Sequence, residues 1–337
     1  MTPIHSAVDS RRSFLAKAAA AAALTVAPVA GCSVAHATAS EGGASATSAG
    51  RAGPRPKLAV STYSFWHFKG PKVTVGQCID RVAAMGSYGV DVLHEQMDFE
   101  ERVPLTAEHR THCKELRRQA FRAGVPLVAL STRQDFVDAD SGVRRSEIDH
   151  TKKVLEIAYE LGAGCIRLNS GRWNTIKKFD DLMAADGVEP ITPGATEDEG
   201  FKWCVDAVRE CLDYATKLGI VLGLENHWGL TRTPEGLLRI ANQFDSPWLG
   251  ILMDTGNFLA DPYEKLKAIA AKTVFVQAKT YPGGGEWYTL DLDYARIAKI
   301  LGDVGYSGWI SLEMEGKEDP ATAIPRSLRH LAQSFGL

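Results

Sequence analysis

The sequence predicts a (β/α)8 barrel over residues 57–337, and three observations predict this fold class. Eight short runs of apolar or β-branched residues follow position 57, and amphipathic segments separate them. The runs recur at intervals of roughly thirty residues, and several amphipathic segments stop at a glycine, as helices before a parallel strand commonly do. Eight such units in about 280 residues agree with a closed barrel in number and size.

The strand candidates are short runs bounded by turn residues. They are LAVSTYSF (58–65), GVDVLHE (89–95), VPLVALS (125–131), CIRLNS (165–170), IVLGLEN (220–226), LGILMDT (249–255), TVFVQAK (273–279) and WISLEME (309–315). An open doubly wound sheet is the competing fold, but it favours a glycine-rich phosphate turn after its first strand. TYSFWHFKGP, at 62–71, is no such turn.

The segments between these runs carry apolar residues at spacings of three and four, which is typical of helices packed on a sheet. Examples are VGQCIDRVAAMG (75–86), HRTHCKELRRQAFRAG (109–124), EIDHTKKVLEIAYELGAG (147–164), KWCVDAVRECLDYATKLG (202–219) and YARIAKILGDVG (294–305). One long insertion, residues 172–199, follows the fourth run. We expect this insertion to cap the barrel mouth as a mobile lid or rim.

The first residues resemble a twin-arginine export signal. Arg11 and Arg12 precede an alanine-rich apolar stretch that is short for a membrane span. We therefore assign residues 1–37 to a signal peptide and expect the twin-arginine translocase as a partner during export to the periplasm. Cleavage after Ala37 would release a soluble protein, whereas the sequence VAGC resembles a lipoprotein processing site that would anchor the chain to a membrane through a lipid on Cys32. Both alternatives stay open.

Residues 38–56 are rich in alanine, serine and glycine and show no apolar periodicity, so we expect a disordered linker. The cysteines form no CxxC pair and no regular spacing, which argues against a thiolate zinc site or a disulfide framework. They stand at positions 32, 78, 113, 165, 204 and 211. We expect the last five to be buried as small apolar residues.

The overall charge argues against a nucleic-acid partner. The formal net charge is −3 at pH 7, with 38 Lys and Arg against 41 Asp and Glu. Binding to phosphate backbones needs concentrated Lys and Arg, so a small polar or neutral molecule is the expected partner. A homo-oligomer is compatible with the sequence, which does not settle the oligomeric state.

The late strand candidates each end in polar side chains that share one face. In a barrel strand, alternate residues point inward, and chemistry gathers at the carboxyl ends of the strands. The inward sets are Gly223, Glu225 and His227; Leu252 and Asp254; Phe275, Gln277 and Lys279; and Ser311, Glu313 and Glu315. Four consecutive strands therefore bring acidic or amide groups to one end of the barrel.

Three carboxylates in one small volume repel each other and lose hydration unless they are protonated or held by a cation. A divalent metal ion resolves this conflict. We predict that the metal ligands are Glu225, Asp254, Gln277 and Glu313. Oxygen donors without a thiolate favour Mn²⁺ or Mg²⁺, with Co²⁺ or Zn²⁺ as alternatives.

These residues resemble a pattern found in the xylose isomerase-like barrel superfamily of sugar isomerases and epimerases, and the likeness runs from about residue 58 to the end. In D-tagatose 3-epimerase-like members, a Glu, an Asp, a His and a Glu from late strands hold the metal. The resemblance implies the same role for Glu225 in GLENH, Asp254 in MDTGN, Gln277 in VQAK and Glu313 in SLEME. It also implies that Glu225 and Glu313 exchange a carbon-bound proton.

Two positions depart from the epimerase pattern. Gln277 stands where histidine is expected, although similar inosose and 3-dehydroshikimate dehydratases can use glutamine there. Asn257 stands where a DxxH motif would place histidine. Both departures favour lyase or dehydratase variants over strict epimerase chemistry.

Other residues near the same strand ends complete the predicted site. His227 is in phase with Glu225, so we predict that it acts as a general acid or base. The expected substrate-binding residues are Arg167, Asn169, Lys279, Glu95, Asn257, Trp66 and Trp228. Glu95 and His94 end the second run on opposite faces, and we favour Glu95 as the inward one. Tyr63 and Trp173 are further aromatic residues expected at the mouth.

The predicted function is therefore that of a metal-dependent sugar isomerase or epimerase. Such an enzyme enolises an unphosphorylated sugar, keto-sugar or polyol derivative through a metal-bound enediolate. The alternative is a lyase of the same family, for example one that eliminates a β-substituent from a 3-keto-glycoside. A non-catalytic sugar-binding barrel and a metal-dependent endonuclease are further alternatives. The endonuclease needs a zinc cluster of histidines and a basic groove, which nine histidines and a negative net charge do not favour.

Overall fold

The computed structural model describes residues 54–86 and 88–337, in which eight parallel strands close into a barrel in sequence order. The strands are β1 (Lys57–Ser61), β2 (Gly89–Leu93), β3 (Leu127–Ser131), β4 (Cys165–Leu168), β5 (Val221–Glu225), β6 (Leu249–Asp254), β7 (Thr273–Thr280) and β8 (Trp309–Met314). The pairing of β8 with β1, for example Ser311 with Ala59, closes the barrel. The predicted (β/α)8 fold is confirmed. The predicted signal peptide and most of the predicted linker lie outside the described residues.

Helices surround the strands, as the predicted alternation requires. They are α1 (Val75–Met85), α2 (Ala107–Ala123), α3 (Ser141–Leu161), α4 (Phe179–Ala184), α5 (Glu197–Leu218), α6 (Pro234–Ala241), α7 (Pro262–Ile269), α8 (Tyr294–Asp303) and α9 (Pro320–Phe335). Three of them begin with a capping box. In each, a threonine hydroxyl accepts a hydrogen bond from the backbone N–H of the third helical residue, and the side chain of that residue accepts one from the threonine backbone N–H. Glycines in the left-handed conformation end α2, α3 and α5, as predicted from the sequence.

The alternation of side chains separates two apolar cores. A small cluster fills the barrel interior and consists of Ala59, Val128, Ala129, Cys165, Leu252 and Phe275. The opposite faces of the strands pack against the helices in a much larger cluster, to which Leu224, Met253 and Val276 belong. Because the side-chain period of a strand is two, this division leaves Glu225, Asp254 and the residues in phase with them on the interior side.

Two strands are shorter than the sequence indicates. The runs 58–65 and 89–95 end in 3₁₀ turns at Thr62–Phe65 and His94–Gln96. Side-chain hydroxyls take over strand-to-strand bonds in the first turn: the Thr62 hydroxyl accepts from the Leu93 amide at 2.8 Å, and the Ser64 hydroxyl donates to the Leu312 carbonyl at 3.1 Å. These bonds satisfy buried backbone groups where the ladder stops.

The insertion at 172–199 contains a helix that the sequence pattern did not predict, α4. An ion pair of 2.7 Å between Arg172 and Glu189 connects the segments on either side of α4, and Leu182 of the helix is buried. Phe179, the first residue of α4, reaches the barrel mouth. The insertion thus forms part of the rim, while its mobility stays a prediction.

All five cysteines in the described part of the chain are buried free thiols, as predicted. Cys32 lies outside that part. Within residues 54–86 and 88–337, no helix combines the length and the apolar composition that crossing a bilayer requires.

Phe275 offers a test of the interior core, because its ring fills the barrel and is only 2% exposed. Phe275→Ala should lower the free energy of unfolding in urea by about 3–5 kcal/mol, since it leaves a cavity that eight fixed strands cannot close. Phe121→Ala is the matched control, because that ring is 86% exposed on α2. A similar loss in both variants would contradict the assignment of Phe275 to the interior.

Candidate functional site

A cavity of ≈ 410 Å³ opens at the carboxyl ends of the strands. Nine residues predicted for the site line it, namely Tyr63, Glu95, Arg167, Glu225, His227, Trp228, Asn257, Lys279 and Glu313. A larger hollow of ≈ 710 Å³ lies against α1 and α2, and its lining contains no strand residue. The smaller cavity is therefore the candidate site, because the inward-facing polar groups converge there.

Glu225 ends β5 and is almost completely buried. Asn169 donates to one of its carboxylate oxygens at 2.6 Å, and Asn257 donates to the other at 3.3 Å. The Arg167 guanidinium lies 3.7 Å from the first oxygen. Three residues predicted to bind substrate thus surround Glu225: Arg167 from β4, Asn169 just after β4 and Asn257 from the loop after β6.

Lys279 lies at the centre of the remaining carboxylates. Its ammonium nitrogen is 2.6 Å from Glu315 Oε1, 2.9 Å from Glu313 Oε2 and 3.6 Å from Asp254 Oδ2. The lysine is 6% exposed, so these groups interact with little screening by water. A protein cation therefore occupies part of the space between the carboxylates that we predicted for a metal ion.

Gln277 points to a deeper layer of the barrel. Its amide nitrogen donates to Asp91 Oδ2 at 2.9 Å and to the Ser131 hydroxyl at 3.2 Å, while its buried carbonyl oxygen has no hydrogen-bond partner. Asp91 lies on β2 and was not among the predicted site residues. Burial raises the pKa of Asp91 to about 6, against the opposing effect of its bond from Gln277.

The described residues contain no group of three or more His, Cys, Asp or Glu side chains already arranged around a common metal position. Two buried oxygens in the predicted ligand set nevertheless lack hydrogen-bond partners: Asp254 Oδ2 and Gln277 Oε1. Buried acceptors are rarely left without a partner, so their pairing on neighbouring strands is compatible with a cation bound between them. The ligand assignment stays a prediction.

The two glutamates predicted to exchange protons differ in their electrostatics. Burial raises the pKa of Glu225, although Arg167 opposes the shift. Burial acts in the same direction on Glu313, but the charges of Lys279 and Arg167 together outweigh it and bring the pKa of Glu313 below its usual value. The two carboxyls therefore lie in different electrostatic surroundings.

Two further groups are shifted by their surroundings. Burial and then the charges of Arg167 and Arg133 lower the pKa of His227 well below its usual value, so its ring is neutral near pH 7. Burial raises the pKa of Asp254 well above its usual value, although Lys279 opposes the shift. A neutral imidazole can accept a proton or donate a hydrogen bond at the cavity wall.

The remaining predicted residues divide between the cavity and its surroundings. Glu95 lines the cavity, whereas His94 packs edge-on against Phe99, so the inward choice between them agrees with the structure. Trp66 does not line the cavity, because its indole donates to the Gly70 carbonyl. Trp173 lines a different hollow beside α5 and α6.

Several cavity residues escaped the sequence reasoning. They are Phe68, Leu93, Arg133, Phe179, Trp287, Tyr288 and Glu315. Glu315 is in phase with Glu313, so strand alternation contained its signal. Phe179 begins the short helix α4 in the insertion after β4, and Trp287 stands in an irregular segment after β7, so strand alternation relates neither side chain to the barrel interior.

The family profile described as "Xylose isomerase-like TIM barrel" matches residues 79–334. An uncharacterised protein, MJ1311 of Methanocaldococcus jannaschii, is 32% identical over 187 residues. That match covers 52% of this chain and 59% of the relative.

Three solved structures share the fold. A 3-keto-D-glucoside 4-epimerase, YcjR of E. coli, has a TM-score of 0.63 at 18% identity, covering 83% of this chain and 100% of its own. An L-ribulose 3-epimerase has a TM-score of 0.65 at 15% identity, with 83% and 95% covered. The IOLI protein with a bound zinc atom has a TM-score of 0.62 at 16% identity, with 83% and 100% covered. The match over residues 79–334, together with the closed barrel, shows that this chain belongs to the xylose isomerase-like TIM barrel family.

Proposed function

We propose that this protein is a divalent-metal-dependent enzyme that enolises a sugar, keto-sugar or polyol derivative. The observation that carries the proposal is the pair Glu225 and Glu313, which line one cavity and are held by different neighbours, two asparagine amides for Glu225 and the Lys279 ammonium for Glu313. Carboxyl groups placed in different surroundings are typical acid and base partners. The epimerases among the similar structures support the same class of reaction.

The donor set is suited to a hard divalent cation. Glu225, Asp254 and Glu313 supply carboxylates, and Gln277 and Asp254 each hold a buried oxygen without a partner. We propose these four residues as ligands for Mn²⁺ or Mg²⁺, with Co²⁺ or Zn²⁺ as alternatives. Such an ion, when bound, supplies a positive charge that polarises a substrate carbonyl.

The local charges also favour an additional cation. Glu225, Asp254, Glu313 and Glu315 are four buried carboxyl groups, whereas Lys279 and Arg167 are the cations that directly contact them in the described structure. If all four carboxyls are ionised, two positive charges do not balance them. Burial raises the pKa values of Glu225, Asp254 and Glu315, and the negative charge of Glu313 adds a smaller increase to each.

Glu313 is suited to remove the proton next to the substrate carbonyl. The Lys279 ammonium keeps it ionised in spite of burial, and the cavity opens directly onto it. Glu225 is suited to exchange a proton with the substrate, because it lines the cavity and its neighbours Asn169 and Asn257 fix its orientation. His227 can assist a departing or arriving proton at the wall.

What happens after deprotonation determines the product. Return of the proton gives epimerisation or isomerisation, whereas loss of a β-substituent gives elimination. Isomerase or epimerase activity is the leading proposal. A lyase is the second candidate, because Tyr288 donates to Asn257 at 3.1 Å and thus brings another hydroxyl to the place where the epimerase pattern has histidine.

Deuterium exchange tests the reaction class. Purified protein incubated with keto-sugars and oxidised glycosides in D₂O and Mn²⁺ should introduce deuterium into the substrate, measured by mass spectrometry and NMR. Exchange without loss of substrate mass indicates an epimerase or isomerase, and release of a fragment indicates a lyase. Glu313→Gln should slow exchange by at least about 100-fold, because it removes the base.

Glu264→Gln is the control for that experiment, since this carboxylate is exposed on α7. If wild-type protein exchanges no hydrogen with any member of the panel, the proposal loses its support. A non-catalytic barrel would then remain, provided that sugars bind without turnover.

Metal content tests the ligands separately. Protein purified without chelator should contain close to one equivalent of Mn²⁺, Co²⁺ or Zn²⁺ by plasma mass spectrometry, and Glu225→Ala and Asp254→Ala should lose it. Asp303→Ala, on exposed α8, should keep the metal. Native protein that neither contains nor takes up a divalent ion would contradict the ligand assignment.

Lys279→Met tests the role of the buried ammonium. In metal-free protein, it should reduce the free energy of unfolding by about 3–5 kcal/mol, because it leaves buried carboxylates without their cation. It should also raise the pKa of Glu313, so the acidic limb of the pH–rate profile should move to higher pH.

Lys299→Met, which removes an exposed lysine on α8, should change stability by less than about 0.5 kcal/mol. Urea unfolding and a pH profile of deuterium exchange measure the two effects. An unchanged profile in Lys279→Met would mean that the lysine does not control the ionisation of Glu313.

A further inference from the structure

The mouth of the cavity is lined by an aromatic collar, which we define as Phe68, Phe179, Trp228, Trp287 and Tyr288. Its members come from the loops after β1, β4, β5 and β7. Phe68, Phe179 and Trp287 are 40%, 36% and 45% exposed, although they are large apolar side chains. Exposed apolar groups gathered around one opening are a common mark of a binding site.

The rings of the collar pack at steep angles to one another. Phe179 lies edge-on to Trp287, with ring centroids 5.5 Å apart, and also to Trp228, at 6.4 Å. Trp228 lies edge-on to Tyr288 at 6.1 Å. Since aromatic pairs favour this arrangement, the collar can accept a further planar ring against an exposed face or edge.

Two of the three polar side-chain groups of the collar have hydrogen-bond partners in the described structure, whereas the Trp228 indole has none there. The Trp287 indole donates to the Tyr63 hydroxyl at 2.9 Å, and the Tyr288 hydroxyl donates to Asn257 Oδ1 at 3.1 Å. The neighbouring Lys69 is paired with Glu286. With these donors engaged, the collar offers mainly apolar surface, which suits an apolar group better than a second ring of hydroxyls.

Phe68 is presented to the cavity by an unfavourable backbone conformation. Both His67 and Phe68 have positive φ values, 52° and 57°, which are uncommon for residues with a side chain. The His67 ring fixes this turn through a 2.5 Å hydrogen bond with the Met314 carbonyl. Strained backbone of this kind clusters at ligand sites, so its use to place an apolar ring at the mouth supports binding.

The two ends of the cavity therefore differ in chemistry. Glu225, Glu313 and Lys279 form a charged floor, and the collar forms an apolar mouth. The volume of ≈ 410 Å³ lies within the range of about 300–1,000 Å³ found for sites of drug-sized ligands. A ligand that fills such a cavity has a polar part and an apolar part.

We propose that the collar is a subsite for a planar, apolar aglycone, so that the substrate is a sugar derivative carrying an aromatic substituent rather than a free monosaccharide. The proposal rests on the proposed function and deepens it by naming the substrate class. The sugar part lies on the charged floor, and the aromatic substituent packs against the exposed surfaces of Phe179 and Trp287, which are already in edge-on contact with each other.

Paired glycosides test this subsite directly. The probes are the methyl and phenyl β-glycosides of glucose, galactose and xylose, with methyl β-cellobioside as a two-sugar probe. Binding to the full-length protein with Mn²⁺ is measured by calorimetry and by tryptophan fluorescence. For at least one sugar, the phenyl glycoside should bind at least tenfold more tightly than its methyl partner.

Variants of the collar should remove this preference. In the double variant F179A/W287A, the phenyl and methyl glycosides should bind within twofold of each other, whereas Trp287→Phe should keep most of the preference. Both positions are well exposed, and circular dichroism checks that the variants fold. Phe121→Ala, on the outer face of α2, should leave the preference unchanged.

Three results would overturn the subsite: no preference for any phenyl glycoside, including no binding; tighter binding of the cellobioside, which would indicate a second sugar ring; or a preference that survives in F179A/W287A.

Glu313→Gln separates this proposal from the proposed function. It should abolish deuterium exchange and retain the phenyl preference. Wild-type protein that prefers phenyl glycosides but exchanges no hydrogen with the keto-sugars and oxidised glycosides of the deuterium experiment would contradict the proposed function alone.

Discussion

The buried Lys279 ammonium is the interaction on which the arrangement of the site depends. A parallel barrel brings the carboxyl ends of its strands together, and in this chain those ends carry Glu225, Asp254 and Glu313. Ionised carboxyls that lie close together in a poorly hydrated space repel one another strongly. Lys279 enters the group from β7 and contacts two of them together with Glu315. Without this cation, protonation or a bound metal ion would have to relieve the repulsion.

The same interaction makes chemically similar groups behave differently. Glu225 and Glu313 are both buried, yet the ammonium lies beside Glu313, and Glu225 is held by amides and a more distant guanidinium. Burial therefore raises the pKa of Glu225, whereas the Lys279 ammonium helps to lower the pKa of Glu313 in spite of burial. An acid and a base can thus arise from two identical side chains because their neighbours differ.

The sequence predicted which side chains face the barrel interior in the strands, where residues alternate with a period of two, but not outside the strands, where no such period holds. Strand alternation placed Glu225, Asp254, Gln277 and Glu313 on the interior side, as the separate interior and outer cores show. Alternation did not show how deep Gln277 lies in the barrel, because depth depends on strand register. Gln277 pairs with Asp254 on β6, whereas Lys279 pairs with Glu313 on β8. The register of parallel strands is a tertiary property. The collar was missed for a related reason, since loop residues follow no period.

The charged floor and the aromatic collar differ in how readily their residues can be replaced. The floor residues belong to or directly follow strands, so replacing them disturbs buried charges that the barrel must accommodate. The collar residues Phe68, Phe179 and Trp287 stand outside the strands and are partly exposed, so their replacement leaves no buried charge without a partner. Reaction type is therefore tied to the strands, whereas the group recognised beside the sugar is set by loops. A barrel built in this way can keep one proton-transfer chemistry while its loops select different substituents.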